Sequence, residues 1–404
     1  MLQLLRKEKM WRAHQLKSSY DVVIVGAGVH GLGIAYYLGK RHGIRNIALM
    51  ERSYLGAGNS GRNTAIIRSN YRTQEGIPFY DASVKLYEGL SEELDWNLLF
   101  SQCGHLTTAH NDSGVIGLRV RAENNQVLGV DSKLIYPEEI QKLVPALDLS
   151  NRARFPIVAA LYHPPGGIIR HDAVVWGYAR ACDRMNIEIH PYTEVTGIRV
   201  AGHRAQSVIT NRGEISTGAV VNATAGWATV VSKMAGVPLQ IVSHPLQACV
   251  TEPLKPFLNK VIVSATLHVY VNQSDKGELV LGAEIDPYQS YNMAGTLPTL
   301  EQISTYTLEL FPQLHSLRVL RQWAGICDMT PDFAPIIGAA REVENFYMDV
   351  GWGTYGFKSA PIASKCTAEL IATGKTPKLI EPFSPARFRA GELVGEKAAA
   401  AVST

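Results

Sequence analysis

The residues best suited to chemistry begin near the amino terminus. Gly26, Gly28 and Gly31 give G-x-G-x-x-G directly after residues 22–25, an unbroken apolar and mostly β-branched run. Such a run reads as a buried parallel strand that ends in a tight turn. The first glycine permits the turn, the second lets backbone approach a pyrophosphate, and the third lets the following helix pack on the strand. The helix is predicted to begin near His30, so that Val29 and His30 lie at its positive end, facing the phosphates. Residues 46–49 read as a second strand with Glu51 at its end, about twenty residues past the last glycine, where a carboxylate accepts from a ribose hydroxyl. Glycine turns alone are common, and the bland reading is an α/β turn with no ligand. Strand, glycines, helix, second strand and acid in this order point instead to dinucleotide binding.

Three further residues are placed where charge or nucleophilicity is useful. After Glu51 a glycine- and serine-rich loop, residues 52–72, carries Arg52, Asn59, Arg62 and Thr64, and loops of this length inside a domain are usually functional. Ile66 and Ile67 form a short buried element that holds Arg68, whose planar guanidinium can pair with a carboxylate through two hydrogen bonds. Residues 164–167, PPGG, break the preceding element, and Asp172 is predicted to cap an amphipathic helix running to Met185. His171 then sits just ahead of a helix N-terminus, which lowers its pKa and keeps the ring neutral. A neutral imidazole can be a nucleophile or a ligand; an ordinary loop histidine fits the sequence as well. Late in the chain, residues 346–350 read as a strand running into GWGTYGFK, where Gly351, Gly353 and Gly356 feed a helix that starts at Lys358. A cation at the positive end of a helix is unfavourable unless an anion joins it, so Lys358 is a candidate carboxylate ligand beside the reading as a solvated lysine. Gly226, in VVNATAGWA, is a third place where backbone can pass close to something flat or phosphorylated.

The elements that must position these residues fall into two textures. Length, 404 residues, is too great for one compact core, and an apolar content of 46% is ample for two. Residues 19–83, 150–236 and 325–380 have nucleotide-domain character, and residues 84–149 and 237–324 read as a mainly antiparallel substrate domain. The fold class is α/β with an α+β second domain. A basic arm occupies residues 1–18 and a tail residues 381–404. Net charge is +3, from 39 basic and 36 acidic residues mixed along the chain, which argues against a nucleic-acid surface. No apolar run approaches the ~18 residues of a membrane span. Five cysteines without C-x-x-C spacing indicate neither a disulfide framework nor a metal site, and favour a reducing cytoplasm.

Taken together, VVIVGAGVHGLG, GNSGRNTAIIRSNY, VVNATAGWA, WAGICDMTPDFAPIIG and GWGTYGFK resemble the D-amino-acid-oxidase-type family of flavin amine oxidoreductases. Within it the chain is most similar to the β subunits of heterotetrameric sarcosine oxidases, from about Tyr20 to Leu393, most specifically at IIRSNY, at GIIRHD with its tryptophan-containing helix, and at HVYV from His268. The resemblance implies a glutathione-reductase-type fold with noncovalent FAD touching Val29, His30, Glu51, Asn59, Thr64, Ile66, Val195, Gly353, Gly356 and Lys358. It also implies FMN bonded to His171 at a subunit interface, with His268 near it. Related β subunits have glycine where this chain has Tyr355, so the phenol ring is expected beside the flavin. Monomeric relatives carry arginine at the position of Ala65 and link FAD to a cysteine that Cys327 does not match.

The activity so implied is oxidative demethylation of sarcosine or a similar small secondary amino acid. Arg68 and Lys358 anchor its carboxylate, electrons pass from FAD to FMN and then dioxygen, and NAD and folate sites lie on partner α and smaller subunits. Three other readings stand beside it: a nicotinamide dehydrogenase, a two-subunit dehydrogenase of proline, hydroxyproline or an opine, and a noncatalytic scaffold that keeps the fold.

Overall fold

The computed structural model describes residues 10–397, so the basic residues Arg6, Lys7 and Lys9 of the expected arm lie outside the described residues. The rest of that arm lies against its own chain. Arg12 pairs with Asp183 at 3.1 Å and Lys17 with Glu188 at 2.6 Å.

The run at residues 22–25 forms the strand Ser19–Val25, which pairs in parallel with Ile47–Met50 on one side and Gly213–Asn222 on the other. Glu188–His190 and Phe346–Val350 extend this parallel core outward. An antiparallel arm, Val195–Ala201 and Arg204–Thr210, folds onto the early part of Gly213–Asn222. The central strand is buried on both faces, which explains why its sequence does not alternate. Val22 and Ile24 pack under the helices Val29–His42 and His171–Arg184, while Val23 and Val25 face Met50, Val220 and Phe346 on the other side.

The second sheet has eight strands and is antiparallel except where Val261–Ser264 runs beside His105–Ala109. Its period-two pattern sorts side chains cleanly. Leu106, Ile262 and Val271 enter a core with Ile303 and Leu310 of the helix Leu297–Leu310, while His105, Thr107, Val263 and Tyr270 turn to the opposite face. Val261–Ser264 and Val269–Gln273 form a hairpin that turns at His268 with φ of 50°.

The sheets do not divide where the sequence changes texture. Ala159–His163 joins the second sheet beside His105–Ala109, and Val319–Met329 stays in that sheet to its last residue. The helix Gly76–Glu93 contributes Val84, Tyr87 and Leu90 to the core beneath the first sheet, so residue 83 falls within an element. The described tail packs firmly too: Arg387 and Asp332, both buried, pair at 2.7 Å. No described helix is long and apolar enough to cross a membrane.

Close approach is demanding at Gly31, where a Cβ would stand 1.9 Å from the Gly26 carbonyl oxygen. The obstacle is backbone, so Gly31→Ala must displace the helix from the strand; overpacking of this sort costs about 1–3 kcal/mol. We expect a melting temperature lower by several degrees. Gly89→Ala, where a Cβ meets nothing within 4 Å, is the control, expected to be neutral or stabilising by up to about 1 kcal/mol. Differential scanning calorimetry of the two variants decides it.

Candidate active site

A cavity of about 830 Å³ runs from the first glycine turn, between the sheets, to the inner face of the antiparallel sheet. Gly26, Gly28, Val29 and His30 line its beginning. Gly28 is the N-cap of the helix Val29–His42, which has no acidic residue in its first turn. The Val29 amide is taken by Ser60 Oγ at 2.9 Å. Glu51 closes the turn from the side, accepting from the Ala27 amide at 3.2 Å and the Ser53 amide at 3.0 Å. Burial raises its pKa. Arg52 lies over the Trp227 ring, 4.0 Å from its centroid, a geometry that holds the guanidinium over an aromatic face.

The late glycine loop meets this turn. Gly353 and Gly356 line the cavity, and the helix Gly356–Thr373 also begins without an acidic residue. Gly351 stands behind them: its φ is 73°, and its amide donates to the buried Asp328 carboxylate at 2.6 Å. His30 joins the two turns, with Nδ1 2.7 Å from Asp349 Oδ1 and Nε2 2.8 Å from the Gly356 carbonyl oxygen. Burial alone would lower its pKa, but Asp349, helped by the Gly356 carbonyl and Asp328, raises it above the usual imidazole value.

The far end is cationic. The strand Ile66–Ile67 pairs with Gly167–Ile168 and delivers Arg68, which is 5% exposed, into the cavity. Its guanidinium lies 4.5 Å from the Tyr71 ring centroid, and the Lys358 ammonium lies 5.9 Å from that of Tyr355. The Tyr71 and Tyr355 centroids are 5.5 Å apart, so two adjoining rings brace the two cations. Tyr355 does not line the cavity: its ring is buried against Tyr71 and Tyr80, and its hydroxyl donates to the Glu396 carbonyl at 3.1 Å. The expected intrusion beside a flavin is therefore corrected to a supporting role behind Lys358.

Among the other sequence candidates, Asn59, Arg62, Thr64, Ile66, Val195 and His268 line the cavity, whereas Gly31, Gly226, Gly351 and His171 do not. The Asn59 side chain is committed to protein, donating to Ile326 O at 2.6 Å and accepting from Ile326 N at 2.8 Å. Gly226 serves packing, since a Cβ would meet Ile326 Cγ2 at 2.5 Å. His171 is the first residue of the helix His171–Arg184, whose N-cap is Arg170 rather than Asp172. Burial, with a contribution from Arg170, lowers the His171 pKa, while Asp172 opposes them. Cys327 lines the cavity with its thiol pKa pushed up by burial. Among the lining residues that sequence reasoning missed are Arg121, on the weakly amphipathic helix Asp112–Val127, and His105, read only as part of a strand. No spacing signal marks either.

Two helix N-termini with no acidic residue in their first turns, opening on one cavity that ends among buried cations, suit an oxidoreductase that holds a dinucleotide against an anionic substrate. The chain belongs to the FAD dependent oxidoreductase family, whose sequence model matches residues 21–370. It is 43% identical to the sarcosine oxidase subunit beta of Rhodobacter capsulatus over 396 residues, covering 98% of this chain and 95% of that one. It is 44% identical to the subunit of the same name from an Arthrobacter species, covering 98% of each. Among solved structures, L-proline dehydrogenase from P. horikoshii superimposes with a TM-score of 0.88 at 32% identity, over 94% of this chain and 100% of that one.

Burial, with Arg68 adding to it, pulls the Lys358 ammonium down to about 7. A carboxylate selects the charged form. As pH rises through about 7 the ligand-free protein loses this charge, so affinity for a simple carboxylate such as methoxyacetate should fall by roughly tenfold per pH unit. Lys358→Met should flatten the profile, as read from calorimetric titrations at a series of pH values.

Proposed function

We propose that the chain is the catalytic subunit of an amine oxidase acting on sarcosine or a similarly small secondary amino acid. The observation that carries this reading is the pairing of Arg68 and Lys358, braced by Tyr71 and Tyr355, in the cavity that begins at the dinucleotide turn. The substrate carboxylate lies between the guanidinium and the ammonium, which fixes the amine and its N-alkyl carbon in the middle of the cavity. Among the described residues, the acids that line the cavity, Glu51 and Glu194, belong to its nucleotide end, and none in the described substrate wall holds the amine as an ammonium ion. The neutral amine is the reactive form.

FAD, held noncovalently by the turns at Gly26–Gly31 and Gly351–Gly356 with Glu51 on its ribose, supplies the hydride acceptor. The Cys327 thiol, kept protonated by burial, is a poor nucleophile toward it. His171, with its pKa lowered by burial and its place outside this cavity, carries FMN covalently at the contact with a partner subunit. Sarcosine, dioxygen and water then give glycine, formaldehyde and hydrogen peroxide. NAD and folate sites lie on partner chains, and the complex works in the cytoplasm. The likeness to L-proline dehydrogenase favours one second reading, a cyclic secondary amino acid with an acceptor other than dioxygen; oxygen uptake during turnover separates the two.

Arg68→Ala should raise the dissociation constant for the amino acid by one to two orders of magnitude while FAD stays bound, because a hydrogen bond to a charged group contributes about 1.5–3 kcal/mol. An unchanged constant would remove Arg68 from the carboxylate anchor. Acid precipitation of the complex should release FAD and leave a second flavin on the protein, and His171→Asn should abolish that residue-bound flavin while substrate still bleaches FAD. Peptide mass spectrometry locating the adduct at another residue would overturn the assignment.

A further inference from the structure

Two histidines stand opposite one another on paired strands at the substrate end of the molecule, and they differ in what they touch. His163 is the antiparallel partner of His105. Its Nε2 accepts from the Ser69 amide at 3.2 Å and its Nδ1 donates to the Asp131 carbonyl oxygen at 2.7 Å, so both of its nitrogens are used within the protein. His105 lines the cavity, is 1% exposed, and has no hydrogen-bond partner at Nδ1 or Nε2 among the described residues. Its strand is paired on both sides, with Ala159–His163 and with Val261–Ser264, which fixes the backbone that carries the ring. Buried imidazoles are ordinarily satisfied, and one left open on both nitrogens in a cavity wall is placed for a ligand.

The surrounding wall indicates which ligand atom the ring meets. Burial, with the neighbouring Arg68, His163, Arg121 and Lys358, keeps His105 neutral, so it presents one donor and one acceptor. A ring of such low basicity accepts a hydrogen bond without taking the proton. Arg68, Arg121 and Lys358, which line the same cavity, have hydrogens to donate and no lone pair to accept with. Such groups suit a carboxylate and leave an amine N–H without an acceptor. The imidazole supplies one in the same corner, where Arg68 and Lys358 both act on it electrostatically.

We infer that His105 accepts the N–H of the substrate amine and thereby selects secondary amino acids over tertiary ones. This rests on the proposed amine oxidation, in which the substrate carboxylate lies at Arg68 and Lys358. A neutral secondary amine has a single N–H. With that hydrogen on the imidazole and the carboxylate on the cations, two points fix the molecule and the nitrogen lone pair is directed away from His105. A tertiary amine has no hydrogen to give and leaves the buried ring unpaired, which is the kind of loss that discriminates strongly between ligands of similar shape.

The test compares two flat carboxylates of matched shape that carry no oxidisable amine, pyrrole-2-carboxylate with a ring N–H and furan-2-carboxylate with a ring oxygen in its place. Each is titrated calorimetrically, at one pH, into the flavin-loaded protein together with any subunits that co-purify. The pyrrole should bind at least tenfold more tightly in the unmodified protein. His105→Phe should reduce that preference to less than threefold with little effect on the furan, and His105→Gln, whose amide oxygen can accept, should keep most of it. Equal affinities in the unmodified protein would overturn the inference whether or not the variants fold. A preference that survives His105→Phe would also overturn it, by placing the acceptor elsewhere, as would equal weakening of both ligands, which would put the ring on the carboxylate. Each of these results leaves the carboxylate anchor standing, because the furan still binds the unmodified protein. Failure of both ligands to bind it would remove the anchor along with the role of His105.

Discussion

The ion pair between His30 and Asp349 is the constraint on which the architecture turns. It joins a residue of the first glycine motif to one at the end of the strand Phe346–Val350, more than three hundred residues later, and the second nitrogen of His30 reaches the Gly356 carbonyl. Asp349 also accepts from Trp352 Nε1 at 2.8 Å and Thr367 Oγ1 at 3.0 Å, so one buried carboxylate organises the strand end, the glycine loop and the following helix. A buried pair is costly to form, and removing one partner strands the other charge. The two helix N-termini are thereby held to a single relative position. Gly33 permits the close packing of their helices, since a Cβ there would meet Ser364 Oγ at 2.5 Å. Both positive helix ends consequently face one cavity.

That arrangement sets the electrostatics of the rest of the site. Among the described residues, the two helix ends, Arg68, Arg121 and Lys358 bring positive charge to the cavity, and the acids that line it, Glu51 and Glu194, lie at the nucleotide end. A phosphate-bearing cofactor and an anionic substrate each neutralise part of this charge. The low dielectric that depresses the Lys358 pKa also strengthens its attraction for whatever anion enters. Burial, with the neighbouring cations, keeps His105 neutral, so cation and uncharged ring stand together in the wall.

Much of this was legible in the chain itself. The strand, turn, helix, strand and acid of residues 20–51 are read directly because local spacing and chemistry agree there, and the strand Phe346–Val350 with its glycine loop is read for the same reason. Placement of Arg68 followed from a short apolar element that pins its backbone. The Asp172 cap misled because Asp is a common cap, whereas here its carboxylate accepts from the Ala173 amide and pairs with Arg170. Tyr355 misled because a residue beside glycines looks as though it faces their ligand. Only the tertiary partners Tyr71 and Tyr80 show that the ring turns away. Arg121 had no signal at all, since a polar residue on a polar helix looks solvated until the loop carrying Asn70 covers it.

The second sheet explains how such a pocket can vary without loss of the fold. His105, Thr107, Val263 and Tyr270 point into the cavity, while their neighbours Leu106, Ile262 and Val271 close a separate apolar core. Strand periodicity thus assigns recognition to one face and stability to the other. Tyr270 shows how tightly the recognition face is set: its ring covers Gly282, where a Cβ would lie 1.9 Å from the ring carbon bearing the hydroxyl. A side chain at Gly282 therefore requires the Tyr270 ring to move or to be replaced. Substitutions at His105 or Thr107 meet no such backbone limit, so the polarity of the substrate wall can shift there while the hydrophobic contacts that hold the sheet remain in place.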